Sequence, residues 1–167
     1  SSESVDSDLE EMFVLEDGIV NWYGSKKVGG GHGGTIAVKS AEVVLTPDNV
    51  MAEFIIDMES MESETGGLVD HLKNEDFFNV PVFPISVLKV TETKKTDVPD
   101  VVQMTGDLTI KGITNEIVFP ALVAESNGKI EASAKFSIDR TLWEIKYGSG
   151  KFFDDLGDKV INDMIDF

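Results

Sequence analysis

The sequence predicts a mainly antiparallel all-β fold: a curved sheet closed over its own apolar face, with one short helix covering it. Three stretches carry this reading. Val101 to Ile110 alternates strictly, with Val102, Met104, Leu108 and Ile110 on one face and Gln103, Thr105, Asp107 and Thr109 on the other. That is the period of two of a half-buried strand. Val50 to Met58 repeats it, setting Ala52, Phe54, Ile56 and Met58 against Met51, Glu53, Ile55 and Asp57. Ile130 to Asp139 repeats it again, with Ala132, Ala134, Phe136 and Ile138 inward. Long strands with one oily face stay in water only if the sheet wraps around that face.

Bulk properties narrow the function. At 167 residues the chain is long enough for one domain with a real core, and 41% hydrophobic with 27% charged residues is the balance of a soluble globular protein. The formal net charge of -17 repels phosphate backbones and argues against a nucleic-acid partner. Without cysteine, disulfides and thiolate metal sites are excluded. The chain starts at Ser1 without an apolar leader, which fits either a cytosolic protein or an exported one relieved of its signal.

Taken in order, residues 1–12 form an acidic arm too poor in apolar groups to offset its ordering entropy, and 13–167 form the domain. Phe13 to Val28 starts the sheet. G-G-G-H-G-G at Gly29 to Gly34 is too glycine-rich for an ordinary strand, and lacks the Lys and Ser/Thr of a phosphate-binding loop. From Thr35 to Leu45 the inward set shifts from Ile36 and Val38 to Ala41, Val43 and Leu45, a bulge signature. Thr46 to Asn49 is a turn. Leu68, Leu72, Phe77 and Phe78 sit at spacings that align on a short helix, ended by the prolines at 81 and 84. Ile85 to Val90 reads as a short strand and Thr91 to Asp100 as a polar hairpin loop. Gly106 and Gly112 suit bends or bulges. Asn127-Gly128 marks a hairpin. Asp139 and Arg140 read as an exposed local pair worth only ~0–1 kcal/mol. Asp154 to Asp158 lacks the spacing and closing Glu of a calcium loop. Ile161, Ile165 and Phe167 close the chain as a last strand.

Several of these segments, in this order, resemble the YceI-like family of lipocalin-like polyisoprenoid-binding proteins. The carriers are G-x-H-x-G-T-I at Gly30 to Ile36, I-D-M at Ile56 to Met58, H-L-x-x-x-D-F-F at His71 to Phe78, G-D-L-T-I-K-G-I-T at Gly106 to Thr114, and I-D-R-T-x-W at Ile138 to Trp143. The resemblance runs from about Trp22 to the C-terminus. It implies an extended eight-stranded barrel under a helix, with an isoprenoid chain such as a quinone tail held inside for transport or storage. It also implies export to the periplasm, a membrane redox partner, and homodimers in some members. The acidic arm is similar to spacers that follow the lipidated cysteine of bacterial lipoproteins, a residue this sequence lacks.

The residues make a physical case of their own. Small inward side chains leave volume, and methionine is an adaptable lining. The expected tunnel wall is Phe54, Ile56 and Met58 on one strand, Met104, Leu108 and Ile110 on a second, and Ala132, Ala134, Phe136 and Ile138 on a third. Phe77 and Phe78 are expected at the mouth, with His32 and His71 as gates. No catalytic residue, cofactor or metal is expected. The rival from another class is a hydrolase using His32 and His71 with Asp70 or Asp76, for which there is no nucleophile elbow and no H-E-x-x-H. The other alternative is a barrel with a solid core serving as a non-lipid interaction or stress-response module.

Overall fold

The structure is a computed structural model that describes residues 11–14, 18–25, 31–45, 49–65, 67–126, 129–146 and 164–166. Most of the acidic arm, most of the 46–49 turn, the Asn127-Gly128 turn, the Asp154–Asp158 segment, Tyr147, Ile161 and Phe167 lie outside the described residues.

The strands are β1 (Glu11–Val14), β2 (Ile19–Ser25), β3 (Gly31–Leu45), β4 (Val50–Asp57), β5 (Glu62–Ser63), β6 (Ile85–Lys95), β7 (Val101–Ile110), β8 (Ile113–Ser126), β9 (Lys129–Ala134), β10 (Ser137–Asp139) and β11 (Met164–Asp166). One helix, α1 (Leu68–Lys73), lies between β5 and β6. The main path runs β10-β11-β2-β3-β4-β6-β7-β8-β9, with β1 and β5 as short additions on β3. Every described ladder is antiparallel, and the sheet curls into a half-barrel over its apolar face.

The sequence pattern explains most elements. The β3 parity shift is a register shift between Val38 and Ser40 against β4. Along β7, the even-numbered residues from Met104 to Ile110 are buried. Lys111 and Gly112 form a two-residue hairpin between Ile110 and Ile113, both at positive φ (55° and 71°). That geometry matches the right-handed twist of the flanking strands. Gly112 is therefore a turn rather than a bend within a strand. The irregularity near Gly106 falls on the partner strand, between Val90 and Glu92 of β6.

Other expectations are corrected as well. The Gly31–Gly34 stretch is regular β3, paired with β2. Crowding requires Gly34: a Cβ on it would lie 1.9 Å from the Glu62 carbonyl oxygen and 2.7 Å from the Trp22 ring. β6 runs on to Lys95, so the hairpin loop is confined to residues 96–100, because Lys94 and Lys95 keep pairing with Gln103 and Val102. The helix is only six residues; the Asn74 N–H closes it on the His71 carbonyl, and Phe77 and Phe78 follow in a turn. β1 takes in Glu11 and Met12, assigned above to the arm, by pairing them with Leu45 and Val44.

Two motifs share one local design. In I-D-M, the Asp57 side chain accepts from the Glu59 N–H at 3.1 Å and starts a 3-10 turn at Met58. In I-D-R, Asp139 accepts from the Thr141 N–H at 3.0 Å and starts another at Arg140. Each Asp ends an inward-alternating strand and turns the chain across the barrel end. Arg140 is consequently buried, with Nη1 donating to the Ile145 carbonyl at 2.9 Å, and is not half of an exposed pair.

The core has two clusters. One is built of large side chains, among them Trp22, Phe77, Phe78, Trp143 and Ile145. The other is built of Ala52, Val90, Met104, Phe119 and Ala121.

Candidate functional site

The interior between the two clusters is not filled. A cavity of about 230 Å³ lies there, walled by Val20 and Ile36 (β2, β3), Phe54, Ile56 and Met58 (β4 and the following turn), Phe78 (the turn after α1), Ser86 and Leu88 (β6), Met104, Leu108 and Ile110 (β7), Phe119 and Ala121 (β8), Ala132, Ser133 and Ala134 (β9), and Phe136. Ten of the twelve residues named from the sequence stand on this wall; Phe77 and Ile138 do not. Phe77 is buried, edge-on to the His71 ring at 4.9 Å and 6.0 Å below the Arg140 guanidinium carbon. Phe78 is buried as well, so the pair plugs the interior and does not rim a mouth. Ile138 is core, paired with Ile165 of β11.

Alternation on β8 was the signal for Phe119 and Ala121. Val20, Ile36 and Leu88 carried none that separates a lining residue from a packed one. Ser86 had no apolar character to flag it, yet its position in β6, opposite Ile56, turns it inward.

The cavity opens where the sheet fails to close. β9 continues through Lys135 and Phe136 into β10, β10 pairs with β11, and β11 meets β2 at Asp166↔Tyr23. Among the described residues no ladder joins β9 to β2. A groove of about 850 Å³ fills the gap, walled by Ile19 to Tyr23, Val101, Pro120 to Leu122 and Ala132 to Phe136. Val20, Ala121, Ala132, Ala134 and Phe136 border both spaces, so cavity and groove meet along β9. Ile19 and Leu122 are more than half exposed in it, at 63% and 53%. Stacking of Phe119 on Phe136, with ring centroids 4.8 Å apart, forms part of the cavity wall at that junction.

Neither histidine borders the cavity. His32 Nδ1 bonds Thr65 Oγ1 at 3.0 Å in a separate polar recess beside Glu62 and Glu64. His71 Nε2 bonds Asp76 Oδ2 at 3.0 Å, which accounts for the H-L-x-x-x-D spacing. The two rings thus hold different partners in different places. No group of three or more His, Cys, Asp or Glu among the described residues is placed to hold a metal. Outside the cavity wall, the Lys146 ammonium, bonded to the exposed Glu144, holds that carboxyl below its usual range.

A curled antiparallel sheet with an apolar hollow at the seam of its core is a binding architecture, and the model of the YceI-like domain matches residues 20–166. The chain belongs to the YceI-like family. Members are in general binding proteins without enzymatic activity, on a lipocalin-like barrel. Among solved structures, BcnA of Burkholderia cenocepacia is similar over 90% of this chain and 92% of that one, at 19% identity and a TM-score of 0.72. A YceI protein of Campylobacter jejuni is similar over 70% of this chain and 67% of that one, at 24% identity and a TM-score of 0.57. At these identities the likeness is one of fold. Among curated proteins none matches the chain.

Proposed function

We propose that this YceI-like protein holds a long-chain isoprenoid lipid, a polyisoprenoid or a quinone tail, for transport or storage. The observation that carries the reading is the cavity wall, apolar at all but two of its residues and continuous with an apolar groove. A cavity of ~150 Å³ holds one benzene, so about 230 Å³ takes roughly nine carbons, or two isoprene units. At ~0.8 kcal/mol per buried methylene, nine carbons supply ~7 kcal/mol, a figure that falls within the ~4–15 kcal/mol that association costs. A short lipid confined to the cavity would bind weakly. A long chain that continues along the groove between β2 and β9 gains the difference, and this selects length.

Native protein extracted with organic solvent is expected to release a long unsaturated hydrocarbon chain detectable by mass spectrometry. Ala134→Trp, placed where cavity and groove meet, is expected to abolish uptake with the circular dichroism spectrum unchanged. Undiminished uptake by that variant would sink the assignment of this wall.

A further inference from the structure

The cavity wall contains one buried polar side chain that the hydrocarbon-binding role does not use. Ser86 is 4% exposed and stands inward on β6 between the cavity-lining Ile56 of β4 and the end of β7. Its hydroxyl takes no hydrogen bond from any described residue, and it is not among the sealed, partnerless polar atoms, so it faces the cavity space. The other serine of the wall, Ser133, is exposed on the groove side. A hydroxyl turned into an apolar hollow is costly unless something bonds to it. An alanine would fill nearly the same space without that cost.

Its place in the barrel gives the hydroxyl a direction. Met58 donates its N–H to the Pro84 carbonyl at 3.0 Å and, with Phe78, closes the cavity at the end where β6 begins. The β9 wall of the groove lies toward the other end: Ala134 pairs with Ala121, Ala121 with Val102, and Val102 with Lys95 at the far end of β6. Ser86 is thus at the bottom of the hollow and the groove is its entrance.

We infer that the ligand enters head first, with an uncharged oxygen of its head group hydrogen-bonded to Ser86 at the closed end and its isoprenoid tail leaving along the β2–β9 groove. This rests on the lipid-binding reading above and adds the chemistry of the head. A quinone carbonyl accepts from the hydroxyl; a prenol hydroxyl donates to it or accepts from it. A phosphate does not fit, because no cationic side chain borders the cavity, and one hydroxyl does not offset the desolvation of an anion. A single-ring head also matches room for about nine carbons.

The test measures binding of four lipids with the same long prenyl tail: a benzoquinone, a prenol, a prenyl diphosphate and the headless hydrocarbon. Each is titrated against the wild-type protein, Ser86→Ala and Ser86→Thr. The alanine variant breaks no protein hydrogen bond and is expected to fold. It is expected to bind the quinone, the prenol or both about three- to tenfold more weakly while binding the hydrocarbon unchanged. Threonine, which keeps the hydroxyl, is expected to retain most of the preference. Whichever oxygenated lipid responds identifies the head. If Ser86→Ala leaves quinone and prenol affinities unchanged, or if the diphosphate binds most tightly, head-first anchoring is wrong although the lipid site stands. If the wild-type protein binds none of the four, the lipid-binding reading itself falls, and the anchor with it.

Discussion

The two ends of the barrel handle the same problem in opposite ways. At the β10 end the interior is packed with the largest side chains in the chain. Trp143 is 1% exposed and donates from Nε1 to the Leu108 carbonyl at 2.9 Å; Arg140 and Ile145 are sealed beside it. At the β9 end, the facing positions are Ala121, Ala132 and Ala134, and the wall stops short of β2. The backbone design is the same on both sides, an antiparallel ladder with inward alternation. Side-chain volume decides which end is core and which is hollow. Close packing makes an unfilled space costly, so a wall of alanines next to a gap is tolerable only at an end that the packed one can hold in shape.

That contrast can be broken most forcefully at the packed end. Trp143→Ala removes the largest buried side chain together with its hydrogen bond, and is expected to cost about 3–5 kcal/mol in urea denaturation. A loss under about 1 kcal/mol would mean that this end does not anchor the barrel. Gly34→Ala attacks the close approach of β3 and β5. With the Glu62 carbonyl 1.9 Å from the new Cβ, the strands must separate, and a loss of about 2 kcal/mol or more is expected from thermal melting.

The open end should respond in the other direction. Ala121→Val adds volume at a buried position on the cavity wall. It is expected to raise stability by about 0.5–1 kcal/mol and to weaken lipid uptake. Destabilisation instead would show that the space is already occupied by well-packed neighbours. The smallest effect belongs to Glu144. Its folded-state carboxyl is depressed by Lys146, so any stability it lends is present above the unfolded carboxyl range and lost as pH falls through the lowered value. The group is fully exposed, and Glu144→Gln is expected to leave the melting temperature at neutral pH unmoved.

Strand faces were legible because alternation is a local property. β7 buries the side its sequence names, β4 turns Phe54 and Ile56 of its named side to the cavity, and the β3 parity shift appears as a register shift at the residues that show it. Local reading failed where a distant segment sets the environment. The Gly31–Gly34 run looks like a loop until β5 is laid against it. Arg140 looks exposed until the 3-10 turn capped by Asp139 carries it inward. Phe77 and Phe78 look like a rim until the short α1 ends and drops them into the core. For the candidate site, the long apolar residues and the β9 alanines could be named in advance. Ser86 could not, since a serine in a strand is unremarkable until its neighbours across the barrel are known.

The sequence alone determined the class of fold, the inward faces of β4, β7 and β9 and the family, because period, turn chemistry and motif order are written residue by residue. Only the tertiary structure decided where the sheet stays open, how short the hollow is and that a lone hydroxyl lies at its base. Those depend on how many strands meet, which side chains face each other across the interior and what volume they leave, and no stretch of chain specifies that without the others.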